Sequence, residues 1–448
     1  MTRTIRSARV TATVIAGLLA ASLTACSSPA TTSTTAPPTT SAPVATTAAP
    51  TSTAAPTTSA PAPQDVTLWG SWKGNDQTAV QTMIDQYNAS QSTYKVVYQF
   101  VDPVQQTLLT AEASGSGIPD LVVWDRFSTS LYANKGALMP LDDLIAKNGV
   151  DTKQYYQEAL KELSSNGKIY GLPLTVDVRV IFYNKKLLSD AGLQPPTTWD
   201  QLEQAAVKLT KRDGSGKLTQ AGFQVQDAGL FSIWCLQAGC KLVSDDQKTT
   251  AFNSPQGLSV VNFWGKLLFT DKVYDLGYSD GSDPFAAGTM AMMYDGPWDI
   301  GKYNGVAGLE WGAIAPPAGP NGDRGAIMGG MGLVIPTGAK NSAGAFDFAT
   351  WLTANTTNAV AFSKLNGNFP GNQKATDDPY FQTDTYKPFV DALAFASIRP
   401  TVAGYSDVEG QALTPQLQKF MAGEIDAATA LKTAQSLGDP LLAQAANG

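Results

Sequence analysis

Apolar residues recur with two different periods in the chain after residue 63, and these periods predict strands and helices in turn. The runs 66–70 and 121–124 are apolar and typical of buried strands, and 94–101 alternates as a strand. Between the strands predicted over 66–70 and 94–101, four apolar residues fall at helical spacing: Val80, Met83, Ile84 and Tyr87. With a short helix near Leu108, the order predicts a parallel sheet covered by helices, with ligands beyond its strand ends.

Later segments predict a second set of strands and helices. A strand is predicted over 175–183, a helix begins at Thr198 with Gln201 completing a capping box, and another begins at Ser254. The apolar strand 290–294 leads into Asp295-Gly296-Pro297-Trp298, and the last hundred or so residues are mostly helical. About 385 residues follow Pro63, more than one hydrophobic core usually supports, so we expect two lobes.

Residues 1–25 have the features of a secretory signal. Arg3, Arg6 and Arg9 precede an apolar stretch of about 14 residues, too short for the ~20 that a membrane-spanning helix needs. The following Leu23-Thr24-Ala25-Cys26 resembles the lipobox of bacterial lipoproteins. This resemblance implies that Cys26 becomes the lipidated first residue of the mature chain. The alternative is an ordinary cleaved signal in which this cysteine is accidental.

Residues 27–63 are almost entirely Thr, Ala, Pro and Ser, and they contain no aromatic or charged residue. Such a segment has no apolar surface to bury and cannot offset the entropy cost of ordering. We therefore expect residues 26–63 to form a lipidated, disordered tether. As a flexible coil it would span roughly 35 Å.

Composition narrows the chemistry that the chain can perform. The formal net charge is −7, which argues against nucleic acid as a partner, and the chain contains no histidine. The absence of histidine excludes Ser-His-Asp hydrolases, H-E-x-x-H proteases and His-based metal sites, and we expect no metal and no cofactor. With Cys26 assigned to lipid, Cys235 and Cys240 remain, either as a disulfide or as two buried free thiols.

Several landmarks follow one another in the order found in a known family. They are Pro119-Asp120, Trp124-Asp125-Arg126-Phe127, and then G-K-I-Y-G-L-P, I-F-Y-N-K-K-L-L, P-P-T-T-W-D-Q-L and F-A-A-G-T-M-A-M-M-Y-D-G-P-W. On these motifs the chain resembles the extracellular solute-binding proteins of ABC importers, in particular the sugar-binding branch that includes maltose-binding protein. The resemblance extends from about residue 66 to about residue 445.

The resemblance implies an α/β fold of the type II periplasmic-binding-protein-like kind. It consists of two lobes, each with a mostly parallel sheet flanked by helices, and a hinge between them. We expect the first lobe to comprise approximately residues 64–175 and 299–340, and the second approximately 176–298 and 341–448. The lobes would close on the ligand and so form the surface that a permease recognises.

Sugar capture favours particular residue types, because a sugar presents C–H faces to aromatic rings and hydroxyls to carboxylates, Arg and amides. Trp298 ends the resembling G-P-W motif and is the expected stacking residue; the alternative is a buried packing tryptophan. Asp125 and Arg126 follow an apolar strand and resemble a sugar-binding D-R pair of the family; the alternative is a surface ion pair. The adjacent Trp124 points either inward or at the ligand.

Asp177 interrupts an apolar strand at a position where the family often has a hydroxyl-binding acid. A buried carboxylate needs a partner, which would be either a sugar hydroxyl or Arg179 on the same strand. The other ligand-binding candidates are Asp227, Lys73, the backbone at Gly329 and Gly330, and Tyr405. Tyr405 is the only nearby substitute for a stacking aromatic pair that the family has in this part of the chain.

These features predict a monomeric receptor, lipid-anchored to the outer face of a bacterial cell membrane. It would bind a mono- or oligosaccharide and deliver it to an ABC permease without performing chemistry. A non-sugar solute such as a glycerophosphodiester is an alternative ligand. Two other hypotheses are a secreted glycoside hydrolase that uses Asp125 and Asp177 as acid and base, and a cell-wall adhesin.

Overall fold

The computed structural model describes residues 62–447, in which strands and helices alternate. The strands are β1 (Gln64–Gly70), β2 (Tyr94–Phe100), β3 (Leu121–Asp125), β4 (Ser164–Ser165), β5 (Lys168–Ile169), β6 (Gly171–Pro173), β7 (Thr175–Val178), β8 (Val180–Asn184), β9 (Lys211–Arg212), β10 (Leu218–Gln220), β11 (Met292–Asp295), β12 (Trp311–Ile314), β13 (Ala326–Gly329), β14 (Met331–Val334), β15 (Phe369–Pro370) and β16 (Ala396–Ser397). The α-helices are α1 (Gly74–Ser90), α2 (Val104–Ser114), α3 (Thr129–Asn134), α4 (Asp142–Asn148), α5 (Gln157–Glu162), α6 (Lys185–Asp190), α7 (Trp199–Leu209), α8 (Phe231–Gln237), α9 (Pro255–Gly265), α10 (Ile300–Asn304), α11 (Ser342–Thr353), α12 (Thr356–Asn366), α13 (Lys387–Leu393), α14 (Tyr405–Asp407), α15 (Thr414–Met421) and α16 (Ala427–Asn447).

The first sheet has the strand order β2-β1-β3-β14-β6. β1 pairs in parallel with β2 and β3, and the four apolar residues predicted for one helix face are all buried on α1. The β-α-β-α-β arrangement predicted from the sequence is therefore confirmed. β14 enters the same sheet from a distant part of the chain and runs antiparallel to both β3 and β6.

The second set of strands is mostly antiparallel. β8 lies between β11 and β12 and runs antiparallel to both, and β7 runs antiparallel to β13 and β15. Only β13 and β16 pair in parallel in these two sheets. The expectation of a mostly parallel sheet in each lobe is wrong for this part of the molecule. Strand direction depends on where the chain returns after a long excursion, which the hydrophobic period does not encode.

Two groups of buried side chains define two lobes. In the first lobe, both faces of the first sheet are covered, with a core that includes Val66, Met83 and Leu121. In the second lobe, a larger core surrounds β7, β8 and β11. The chain passes between the lobes where β6 continues into β7, where β13 continues into β14, and between α12 and β15.

These crossings correct two of the expected lobe boundaries. Residues 299–329 lie in the second lobe, because β12 pairs with β8 and Tyr303 is buried in the second core. Residues 342–366 lie in the first lobe, because Phe348 and Phe362 are buried in its core. Asp120, one of the landmark residues, helps to hold the start of α11 against β1. Its carboxylate accepts hydrogen bonds from the backbone N–H groups of Thr67, in β1, and Asn341, just before α11.

The predicted helix starts at Thr198 and Ser254 are confirmed, since each side chain caps the first turn of its helix. Cys235, in α8, and Cys240 are joined by a disulfide with their Cα atoms 4.9 Å apart. Within residues 62–447, no helix has the length and apolarity required to cross a membrane. Cys26, the signal and nearly all of the expected tether lie outside the described residues.

Candidate functional site

A cavity of about 330 Å³ lies between the lobes, beside two of the chain crossings. This volume falls within the ~300–1,000 Å³ that is typical of small-molecule sites. Its polar wall is made by Asp125, Asp177, Arg179, Asp227, Arg399 and Glu409, and the remainder includes Trp298, Ile233, Ile327, Gly329, Gly330 and Met331. Four of the sequence-predicted side chains therefore meet at one place, and so do both predicted glycines.

Asp125 is the last residue of β3, at the carboxyl end of a strand where a parallel pair presents ligands. Its Oδ1 accepts a hydrogen bond from the Phe127 backbone N–H at 3.2 Å, which orients the carboxylate. About half of the side chain is exposed, and the same oxygen lies 3.5 Å from Nη2 of Arg399. Asp125 therefore faces the cavity with acceptor capacity left over.

Asp177 lies on β7, directly opposite Gly329 of β13. A Cβ atom on Gly329 would lie 2.6 Å from Oδ1 of Asp177, so only glycine leaves room for this carboxylate. Burial raises the pKa of Asp177, and the nearby guanidinium groups of Arg126 and Arg179 oppose that rise. Among the described residues the carboxylate has no hydrogen bond or ion pair, including none with Arg179, the protein partner considered from the sequence.

Asp227 and Arg179 form the ion pair on the second-lobe side of the cavity. Oδ2 of Asp227 lies 3.5 Å from Nη1 of Arg179, and its Oδ1 accepts a hydrogen bond from the Gly229 backbone N–H at 2.9 Å. The Arg179 guanidinium also lies over the ring of Trp298, 5.3 Å from its centroid. The sequence placed Asp227 among the candidates but did not indicate this pairing.

Trp298 follows the turn Gly296-Pro297 at the end of β11 and is partly exposed to the cavity. Its indole packs closely against Gly296, where a Cβ atom would overlap three ring atoms. The backbone of Gly296 is extended, with φ −118°, a conformation that any residue adopts. Glycine is therefore required here by the position of the indole and not by the turn.

Two charged residues that line the cavity, Arg399 and Glu409, were missed by the sequence reasoning. Arg399 follows the two-residue strand β16, and its guanidinium stacks on Phe127 at 3.7 Å from the ring centroid. Glu409 lies in the π-helical segment Val408–Leu413 between α14 and α15, 3.6 Å from Nη1 of Arg399. Neither segment has a clear hydrophobic period. The sequence offered one signal for Arg399, which is a charged residue next to residues 400–405. In that segment the family has a stacking aromatic pair, and only Tyr405 was considered as a candidate.

Arg126 is not at the cavity surface, which corrects both the ligand-binding expectation and the surface ion-pair alternative. It is fully buried and pairs with Glu162 at 3.0 Å, the side chains being 0% and 2% exposed. Its guanidinium also donates to the carbonyl oxygens of Thr175 and Gly329, the latter at 2.6 Å. These two carbonyls belong to β7 and β13, the strands at two of the three crossings. Arg126 therefore ties these two crossings to the first lobe.

Gly330 is required by the same arrangement. It has φ +130°, and a Cβ atom there would overlap the Thr175 carbonyl and the Arg126 guanidinium. The expected role of Gly329 and Gly330 was close approach of the backbone to a ligand. The structure shows that their lack of a side chain makes room for Asp177 and Arg126, although both glycines also border the cavity.

Three further candidates lie away from the cavity. Trp124 is fully buried in the first lobe, edge-on to Tyr132, because alternation along β3 turns it to the face opposite Asp125. Lys73 places its ammonium over the ring of Phe100, at 4.3 Å. Tyr405 is fully buried in the second core. Trp124 therefore takes the inward one of its two expected orientations, the expected ligand contact of Tyr405 is wrong, and Lys73 does not line the cavity.

The chemistry available in the cavity is that of recognition. Carboxylate oxygens accept hydrogen bonds, guanidinium groups donate them, and the indole offers an apolar face. In residues 62–447, no group of three or more Cys, Asp or Glu side chains is arranged to hold a metal ion.

Residues 71–359 match the family model described as bacterial extracellular solute-binding protein. The chain belongs to this family. Its fold is that of the type II periplasmic solute-binding proteins, so the fold class expected from the sequence is confirmed. The family's members bind solutes, and the cavity between the two lobes is the candidate solute site of this member.

Individual relatives agree with this assignment. The maltotriose-binding protein of Pyrococcus abyssi is 23% identical over 323 residues, which cover 71% of this chain and 69% of the relative. The cyclic alpha-maltosyl-1,6-maltose binding protein of Arthrobacter globiformis superposes with a TM-score of 0.71 at 25% identity, covering 85% of this chain and 100% of the other. UgpB of Mycobacterium tuberculosis, solved with glycerophosphocholine, superposes with a TM-score of 0.73 at 22% identity, covering 86% and 99%.

The Arg126–Glu162 pair predicts a large loss of stability when only one partner is removed. Arg126→Met leaves Glu162 buried and unpaired and leaves two crossing carbonyls without their donor, so we expect a loss of about 3–5 kcal/mol in the free energy of unfolding. Adding Glu162→Gln to this variant removes the unpaired buried charge and should restore part of the lost stability. Urea unfolding followed by circular dichroism measures both values.

The exposed pair Lys241–Asp245 is the matched control, with side chains 63% and 86% exposed. Lys241→Met should cost no more than ~1 kcal/mol, because exposed ion pairs contribute little. An Arg126→Met variant that loses no more stability than this control would show that the buried pair does not hold the crossings.

Proposed function

We propose that the protein captures a carbohydrate between its lobes and delivers it to an ABC permease. The observation that carries this proposal is the indole of Trp298, which packs against Gly296 at the wall of a cavity whose polar lining consists mainly of carboxylates and guanidinium groups. An apolar platform beside hydroxyl-binding groups matches the two faces of a sugar ring. Asp177 supplies a carboxylate that has no hydrogen bond or ion pair within residues 62–447.

The names of the relatives support a sugar as the solute. The Pyrococcus abyssi and Arthrobacter globiformis proteins are named for binding maltotriose and cyclic alpha-maltosyl-1,6-maltose. The UgpB structure contains glycerophosphocholine, so the fold by itself accommodates other solutes. The choice between them for this chain therefore rests on the residues of its own cavity.

The proposed role involves no catalysis. A glycoside hydrolase needs one carboxylic acid and one free carboxylate on either side of the scissile bond. Asp125, one of the two residues considered for that role, lies 3.5 Å from the guanidinium of Arg399 and accepts a backbone hydrogen bond, an arrangement that suits binding. The family membership of the chain supports the same conclusion.

We also propose that the receptor acts as a monomer outside the cell, held to the membrane by lipid on Cys26. The support is the lipobox-like Leu23-Thr24-Ala25-Cys26 after an apolar stretch, together with a following segment of Thr, Ala, Pro and Ser that suits a spacer. Such an anchor would keep the receptor near its permease and raise the local concentration of each for the other.

The anchor predicts a change in fractionation. With Cys26→Ala, the protein should leave the membrane pellet and appear in the medium or the soluble fraction, whereas Cys240→Ala, which leaves Cys26 in place, should stay in the pellet. Immunoblots of fractionated cells measure this distribution. Retention of the Cys26→Ala protein in the pellet would contradict the anchor.

Sugar binding is tested by calorimetry against mono- and oligosaccharides, with glycerophosphocholine included. We expect heat with at least one saccharide, and for that saccharide Trp298→Ala should weaken binding by ~10- to 100-fold through loss of the stacking surface. Gly296→Ala should weaken it comparably while Trp298 is retained, because the added methyl group displaces the indole.

Gly301→Ala is the matched control, because a Cβ atom at this position in α10 meets nothing within 4 Å. Its affinity should equal that of the unmodified protein. Absence of heat with every saccharide would refute the carbohydrate proposal, and unchanged affinity in both the Trp298 and the Gly296 variants would refute the stacking role.

A further inference from the structure

The ionisable groups that line the cavity are unequal in sign. Four are acidic, namely Asp125, Asp177, Asp227 and Glu409, and two are basic, namely Arg179 and Arg399. The wall thus has two more acidic than basic groups. A solute that enters the cavity meets an excess of acceptors and a shortage of cations.

Both guanidinium groups already face carboxylates of the protein. Arg179 lies 3.5 Å from Asp227, and Arg399 lies between Asp125 at 3.5 Å and Glu409 at 3.6 Å. An anionic solute would have to share one of them with its carboxylate and would therefore lie close to a like charge. In a partly buried site, such an approach is unfavourable.

Asp177 has the opposite property, because it is the lining carboxylate without a hydrogen bond or ion pair in the described part of the chain. The glycine opposite it leaves room for its Oδ1, and the residue lines the cavity. A hydroxyl or a protonated amine of a ligand would supply the missing donor. A phosphate or carboxylate at the same place would meet like charge.

We propose that the cavity selects its saccharide by charge, accepting neutral and amine-bearing sugars and rejecting anionic ones, and that Asp177 is the main residue imposing this selection. The inference rests on the proposed function, since it concerns the same cavity. It also separates this protein from receptors for anionic solutes such as sugar phosphates, uronic acids and glycerol phosphates.

The experiment uses a neutral saccharide that binds the protein in calorimetry, together with two derivatives changed at C6 of each sugar unit in turn. One derivative has a protonated amine in place of the hydroxyl, and the other is the uronate. At one or more units we expect the amine to bind at least about tenfold more tightly than the uronate. The ratio of amine affinity to uronate affinity should decrease at high salt.

Variants assign the selection to a residue. Asp177→Asn keeps the shape of the side chain and removes its charge, so the ratio of amine affinity to uronate affinity should fall several-fold. Glu409→Gln is a second variant, which removes another acidic charge from the same wall. Asp245→Asn removes one charge from an exposed pair elsewhere on the surface and should leave the ratio unchanged.

The outcomes separate the two proposals. If no saccharide binds, the proposed function fails. If saccharides bind but the uronates bind as tightly as the neutral parent at every unit, the charge selection alone is overturned. If the ratio is large but the same in Asp177→Asn as in the unmodified protein, the role of Asp177 is overturned.

Discussion

The buried pair between Arg126 and Glu162 is the interaction on which the site depends most. A guanidinium without access to water needs a counter-charge and acceptors, and Arg126 finds them in Glu162 and in the carbonyls of Thr175 and Gly329. Those carbonyls lie on the two strands by which the chain first leaves and later re-enters the first lobe. One side chain thereby holds both crossings together, directly beneath the cavity.

The neighbours of these anchored positions carry the recognition chemistry. Asp125 precedes Arg126 and turns its carboxylate to the cavity, while Asp177 lies two residues beyond Thr175 and projects past Gly329. Closure of the lobes about these crossings would bring Asp125 of the first lobe towards Trp298 and Asp227 of the second, with the solute between them. The geometry of binding is thus coupled to the hinge through adjacent residues on the same strands.

Local patterns in the sequence predicted local structure well. The helical spacing of Val80 to Tyr87 predicted α1, and the G-P-W motif led to Trp298 at the cavity. The errors concern contacts between distant segments. Arg126 was assigned to the ligand because it resembles a sugar-binding D-R pair, and nothing near it in sequence reveals Glu162. Arg399 and Glu409 were missed because they reach the cavity from irregular elements after the last crossing. The strand directions expected for the second lobe, and two lobe boundaries, were wrong for the same reason.

A crystal structure of the protein with a saccharide selected by calorimetry tests the central claim most directly. We predict a sugar ring stacked on the Trp298 indole, with a hydroxyl donating to the Asp177 carboxylate, while Arg126 keeps its hydrogen bonds to Thr175 and Gly329. A saccharide bound outside this cavity, or an Arg126 guanidinium that has left the crossing carbonyls to contact the sugar, would contradict it.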